Sequence, residues 1–174
     1  MKSVSITFFL QENLKNHEIS QSLSNVLLVI IKAITEVASL IRRGELGGIL
    51  GNAETENIQG EVQKKLDIVA NEIFIKHLLG LDEIVALVSE ENKDPILNKN
   101  NNSVGYVVYF DPLDGSSNIE TNAPIGTIFG IYKSKKNPNE TILQSGDNLI
   151  ASGFFIYGPR LKLIFSIGNG TSVF

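Results

Sequence analysis

The 174-residue chain contains no cysteine. That absence excludes disulfides, thiolate metal sites and thiol nucleophiles together. Histidine is nearly as scarce, since His17 and His77 are the only two and lack the paired spacing of a metal motif. A zinc centre with the usual nitrogen and sulfur ligands is therefore not expected. Any bound metal would take oxygen ligands, which favours Mg²⁺, Mn²⁺ or Ca²⁺. Positive charge is not in excess either: 15 Lys and Arg against 19 Asp and Glu give a net charge of −4. No overall basic surface offers itself to nucleic acid. Long hydrophobic runs are missing as well. The longest, residues 26–31, stops at Lys32, far short of a membrane span. The cluster Phe8-Phe9-Leu10 is too short for a signal-peptide core, and no arginine precedes Arg42, as an organellar presequence would need. The expectation is a cytoplasmic protein without nucleic-acid or membrane partners.

What is present is the composition of a globular domain with a substantial core, 43% apolar and 20% charged. Over residues 22–43, Leu23, Leu27, Ile30, Ile34, Val37 and Ile41 recur at steps of four and three. This spacing predicts a helix burying one face, ended by basic residues and Gly44. Residues 44–60, "GELGGILGNAETENIQG", read as a long loop. A second helix is expected next, with Val62, Leu66, Val69 and Ile73 on one face. Strands are predicted at 83–89, 104–110, 124–133, 150–158 and 161–167. The Asn-rich stretch 92–103 reads as a surface excursion, and "KSKKNPNE" at 133–140 as a charged turn. Helices first and strands later suggest an α+β or layered α/β domain.

Two of the predicted strands end in acids: Glu90-Glu91 after the first, and Asp111-Pro112-Leu113-Asp114 after the second. Carboxylates at the ends of neighbouring strands can converge on one rim of a sheet, where a hard divalent ion relieves their repulsion. Pro112 stiffens the turn between the aspartates, and the Leu113 carbonyl offers a further oxygen. Gly115-Ser116-Ser117 then supplies backbone N–H groups and hydroxyls suited to an anion. Taken singly, each feature has a plainer reading. Glu90-Glu91 is a solvated acidic turn, residues 111–115 are a Pro- and Asp-containing turn, and Asp67 is a surface acid of a helix. Together they point to a site. Spacing alone ranks no phosphatase above a Ca²⁺-binding structural loop.

Residues 106–132, "YVVYFDPLDGSSNIETNAPIGTIFGIY", closely resemble the signature region of the class 1 fructose-1,6-bisphosphatase family. "ENIQGEVQKKLDIVANE" at 56–72 is similar to that family's upstream loop and helix, and "LVSEEN" at 87–92 to its acidic pair. The resemblance implies a layered α/β/α sugar-phosphatase fold, with long helices packed on a mixed sheet. It implies a Mg²⁺- or Mn²⁺-dependent phosphoric monoester hydrolase that removes the 1-phosphate of fructose 1,6-bisphosphate, a step of gluconeogenesis. By position, Glu90, Glu91, Asp111 and Asp114 match the metal-binding carboxylates, with the Leu113 carbonyl as an additional ligand. Asp67 and Glu91 match the catalytic acids, Asp67 orienting or deprotonating the attacking water. Asp114, Gly115, Ser116 and Ser117 match the phosphate-binding segment, and Asn57 and Glu61 the dynamic loop that closes over the site. A homotetramer follows by family analogy. Asn118 and the "GTIFGIY" run favour the fructose enzyme over inositol monophosphatases, while sedoheptulose 1,7-bisphosphate stays open as an alternative substrate.

The chain stops at Phe174 directly after a predicted strand. The resemblance therefore implies an N-terminal domain over 1–174, with the family's C-terminal substrate-binding domain absent from this chain. The alternative is a truncated, non-catalytic or regulatory fragment that retains a metal or phosphate site. In either case a protein ending at Phe174 is expected to release no phosphate from fructose 1,6-bisphosphate in a colorimetric assay with Mg²⁺, because the sugar pocket is missing.

Overall fold

The computed structural model describes residues 5–43, 52–56, 62–100, 104–119, 121–135 and 138–174. Helix α1 spans Ile6–Lys15, a stretch in which the sequence had suggested only an apolar cluster. Ser5 caps it by accepting from the Phe8 N–H at 3.2 Å, which satisfies one of the donors left over at a helix start. Helix α2, Gln21–Arg43, begins at Ser20, whose Oγ accepts from the Leu23 N–H at 3.1 Å. The same oxygen lies 2.8 Å from the Tyr106 hydroxyl, tying the start of α2 to the sheet. By length and apolarity α2 could cross a membrane. Its apolar stripe is instead spent in the core: Leu23, Val26, Leu27, Ile30, Ile34 and Val37 are all buried.

Strand β1 (Asn52–Glu56), inside the expected long loop, pairs antiparallel with β2 (Val62–Lys64), at the expected start of the second helix. Val62, expected on a helix face, is therefore in β2, and helix α3 runs Lys65–Leu78. Its buried positions are Leu66, Asp67, Ala70, Asn71, Ile73, Phe74 and Leu78. Val69, expected among them, is only half-buried.

The remaining strands are β3 (Ile84–Ser89), β4 (Ile96–Leu97), β5 (Tyr106–Asp114), β6 (Ile125–Lys133), β7 (Leu149–Tyr157), β8 (Lys162–Ser166) and β9 (Ser172–Val173), with a short helix α4 (Pro138–Ile142) before β7. They form a seven-stranded sheet in the order β4-β3-β5-β6-β7-β8-β9. Only β3 and β5 run parallel; the other neighbours are antiparallel. The chain between the parallel pair passes through edge strand β4 rather than a helix, the usual crossover. That excursion is less superficial than its asparagines suggested, since Asn98 is buried and donates to the Leu81 carbonyl at 3.1 Å.

Strand side chains alternate between faces, so the two sides of this sheet differ. Leu87, Val108, Phe110, Phe129, Ile131, Phe155 and Phe165 meet the helices in one apolar core. At its centre Phe74 of α3 stacks on Phe110 of β5, with centroids 5.1 Å apart and planes 20° from parallel. Close approach also selects Gly153 on β7: a Cβ there would sit 2.5 Å from Phe165 Cβ and 2.7 Å from the Ile164 carbonyl oxygen. The other face carries Ile128, Phe154 and Ile156, each more than a third exposed. Among the described residues, α1, α2 and α3 pack into the core on one face, and the short α4 meets the other, where the Tyr109 hydroxyl donates to the Ile142 carbonyl; helices packed on a mixed sheet are the expected α+β arrangement. Phe74→Ala is expected to destabilise the fold by about 3–5 kcal/mol, measured by urea denaturation with near-ultraviolet detection.

Candidate metal and phosphate site

The parallel register of β3 and β5 sets Ser89 beside Phe110, and the Glu90 N–H donates to the Phe110 carbonyl at 3.1 Å. The next residue of each strand, Glu90 and Asp111, therefore emerges at the same rim. Their carboxyl groups are hydrogen-bonded to each other. Both line a cleft of about 530 Å³ on the face away from the helices, shared with Tyr109, Ile128 and Tyr132. Burial pushes the Asp111 carboxyl up from its ordinary 3.8 to about 8, and the hydrogen bond and charge of Glu90 push it the same way. Asp114 adds a smaller upward push, while the Leu113 N–H, 2.9 Å from Asp111 Oδ1, acts in the opposite sense.

Behind the acids is a hydrogen-bonded chain of the buried Asn71 and Ser89 and the half-buried Asn92, none of them among the expected site residues. Asn71, one turn after Asp67 on α3, accepts from Ser89 Oγ at 2.8 Å and donates to Asn92 Oδ1 at 2.9 Å. Ser89 Oγ in turn accepts from the Glu91 N–H at 3.2 Å. The Glu90-Glu91 turn is thus fastened to the helix that bears Asp67. The i, i+4 spacing of Asp67 and Asn71 was the available signal. Asp67 is only 3% exposed, so the surface-acid reading of this residue fails.

The ladder between β5 and β6 is irregular between Asp111 and Asp114, and just beyond it Gly115 takes a left-handed conformation at φ 77°. A side chain would be strained there, and its Cβ would also press on Asn118 Nδ2 at 3.3 Å and on the Pro124 carbonyl at 3.4 Å. Ser116–Asn118 follow as a 3₁₀ turn closed by Asn118 N–H to Gly115 carbonyl at 2.8 Å. The Leu113 side chain is buried in the core, while Asp114 and Ser117 are exposed. Glu90 and Asp111 meet, and Asp114 is near enough for its charge to act on Asp111. Asn57 and Glu61, the expected loop residues, lie outside the described residues.

Among the described residues, no three acidic or histidine side chains converge tightly enough to cage an ion. The Glu90–Asp111 pair nevertheless has the chemistry of a divalent site. Two oxygen-donor carboxyls held in contact retain a proton that a hard cation would displace, and no nitrogen or sulfur ligand competes.

Residues 4–174 match the family model described as fructose-1-6-bisphosphatase, N-terminal domain. The class 1 fructose-1,6-bisphosphatase of Neisseria meningitidis serogroup B is 43% identical over 171 residues, covering 97% of this chain and 52% of that protein. The same-named protein of Persephonella marina is 40% identical over 167 residues, covering 96% and 52%. A crystal structure of Leishmania major fructose-1,6-bisphosphatase in holo form superposes with a TM-score of 0.83 at 26% identity, covering 100% of this chain and 55% of the other. The chain spans about half the length of the curated relatives it matches.

Because the folded state holds the Asp111 proton more tightly than the unfolded state, the contribution of this group to stability is full below about pH 4 and is lost as pH rises towards about 8. Asp111→Asn cannot ionise and removes that decline. In calorimetry with EDTA, the variant is expected to melt about 3 °C above the parent at pH 8, a gap that closes towards pH 4.

Proposed function

The chain belongs to the fructose-1,6-bisphosphatase family, and from that membership we propose that it is the N-terminal, metal-holding domain of a phosphoric monoester hydrolase. Its reaction is hydrolysis of the 1-phosphate of fructose 1,6-bisphosphate, giving fructose 6-phosphate and phosphate in gluconeogenesis. The observation that carries this reading is the contact between the Glu90 and Asp111 carboxyls, with Asp114 close enough to add its charge. Acids crowded at a cleft until one keeps its proton favour a cation site over a turn.

In this reading Glu90, Glu91, Asp111 and Asp114, together with the Leu113 carbonyl, would hold Mg²⁺ or Mn²⁺. When bound, such an ion stabilises negative charge on phosphoryl oxygens. The protein groups do the positioning. The left-handed Gly115 turns the chain so that Ser116 and Ser117 present N–H and O–H donors to the phosphate. Asp67 and Glu91 orient the attacking water, and the buried Asp67 carboxylate takes its proton as the oxygen adds to phosphorus. The bond from phosphorus to the sugar oxygen breaks, and that oxygen leaves with its electron pair and takes up a proton from solvent to become the hydroxyl of fructose 6-phosphate, while Asp67 gives its own proton back to solvent. The protein works in the cytoplasm as a homo-oligomer, a tetramer by family analogy.

The test is phosphate release from fructose 1,6-bisphosphate with Mg²⁺, using the full-length protein. Asp111→Ala and Asp114→Ala are each expected to lower kcat/KM at least a hundredfold or so, since even groups that only orient metal ligands typically matter by about 10–100-fold. Ordinary turnover in either variant would sink the assignment.

A further inference from the structure

The turn that carries Asp111 and Asp114 is gripped from behind by two buried hydroxyls. Thr127 of β6, 0% exposed, donates from Oγ1 to the Pro112 carbonyl at 2.8 Å. The same Oγ1 lies 2.7 Å from the Tyr157 hydroxyl at the end of β7. A threonine hydroxyl has one proton, and a carbonyl can only accept. The proton of Thr127 is therefore committed to Pro112, and Tyr157 must be the donor to Thr127. The chain of donation runs one way, from Tyr157 through Thr127 to Pro112.

The oxygen it ends on belongs to the peptide unit joining Pro112 to Leu113. The opposite polar atom of that unit, the Leu113 N–H, donates to Asp111 Oδ1 at 2.9 Å. A peptide unit is planar, so holding its oxygen on one side and its hydrogen on the other fixes the orientation of the whole plane. Support from outside is needed here. The β5–β6 ladder is irregular between Asp111 and Asp114, and proline has no N–H to contribute to it. The plane in turn determines which lobe of the Asp111 carboxyl is engaged by backbone and which remains for an ion. It also sets the direction in which the chain continues to Asp114.

We propose that Thr127, with Tyr157 behind it, is a positioning residue that fixes the Pro112–Leu113 peptide and thereby the spacing of Asp111 and Asp114 for a divalent cation. This rests on the metal reading of the site given above. A merely structural hydroxyl would satisfy the buried carbonyl and do no more, and metal affinity would then follow stability.

Two substitutions separate these roles. Thr127→Val keeps the shape and removes the donor; Thr127→Ser keeps the donor and removes a buried methyl. Mn²⁺ binding to the full chain is measured by electron paramagnetic resonance of the free ion, alongside thermal midpoints. T127V is expected to bind Mn²⁺ about tenfold more weakly, while T127S binds like the parent despite its lower midpoint. Tyr157→Phe falls between them. Parent-like affinity in T127V, or affinities that rank with the midpoints rather than with the hydroxyl, would overturn the proposal. If T127V does not fold, Y157F decides, and parent-like affinity there overturns it equally. An unmodified chain that binds Mn²⁺ no better than Asp111→Ala would bring down the metal reading itself and this inference with it.

Discussion

Everything at the site depends on the parallel pairing of β3 with β5. Backbone hydrogen bonds fix Ser89 opposite Phe110, and the ladder takes no account of what the next side chains carry. Those side chains are acids, and the two carboxyls are forced into contact. Their mutual repulsion cannot separate the strands, because the inward residues of both are locked into the core. Leu87 and Val108 are fully buried, and Phe110 is stacked on Phe74. The apolar core thus holds together a polar arrangement that would not persist by itself.

The alternation of a strand puts a supporting group and a reactive group on neighbouring residues of one chain. Ser89 turns inward to Asn71, while Glu90 faces the cleft. Phe110 turns inward to Phe74, while Asp111 faces the cleft. On β6, Thr127 turns inward to Tyr157, while Ile128 lines the cleft. The helix-facing side of the sheet is accordingly more than packing. It carries the hydrogen bonds that orient the acidic rim, and α3 brings Asp67 and Asn71 to it from one helical face.

Much of this was legible in the sequence. The long periodic run of α2 and the apolar runs of β3, β5, β6, β7 and β8 marked themselves, because burial on one or both faces leaves a repeating trace. The acid-bearing strand ends were equally visible. What escaped had weak periodicity or long-range causes. Helix α1 is short and buries only Leu10 and Asn13, too little for a stripe to stand out. Strand β1 reads NAETE, with Ala53 as its one apolar residue, and β4 has only two residues, so neither carries an apolar pattern. The burial of Asp67 and the grip of Thr127 on Pro112 come from chain brought together by folding, the latter across 15 residues of sequence. Composition and local spacing carry no record of such contacts.

The face of the sheet turned away from the helices has a consequence for handling rather than for chemistry. Ile128 and Phe154 sit directly opposite each other across the β6–β7 ladder, and Ile156 lies one pleat further on. A contiguous oily strip on a folded surface lowers the concentration at which molecules adhere to one another, with no unfolding required. Loss of material on concentrating this chain would therefore track the polarity of these three positions, and heating curves that report only the core would give no warning of it.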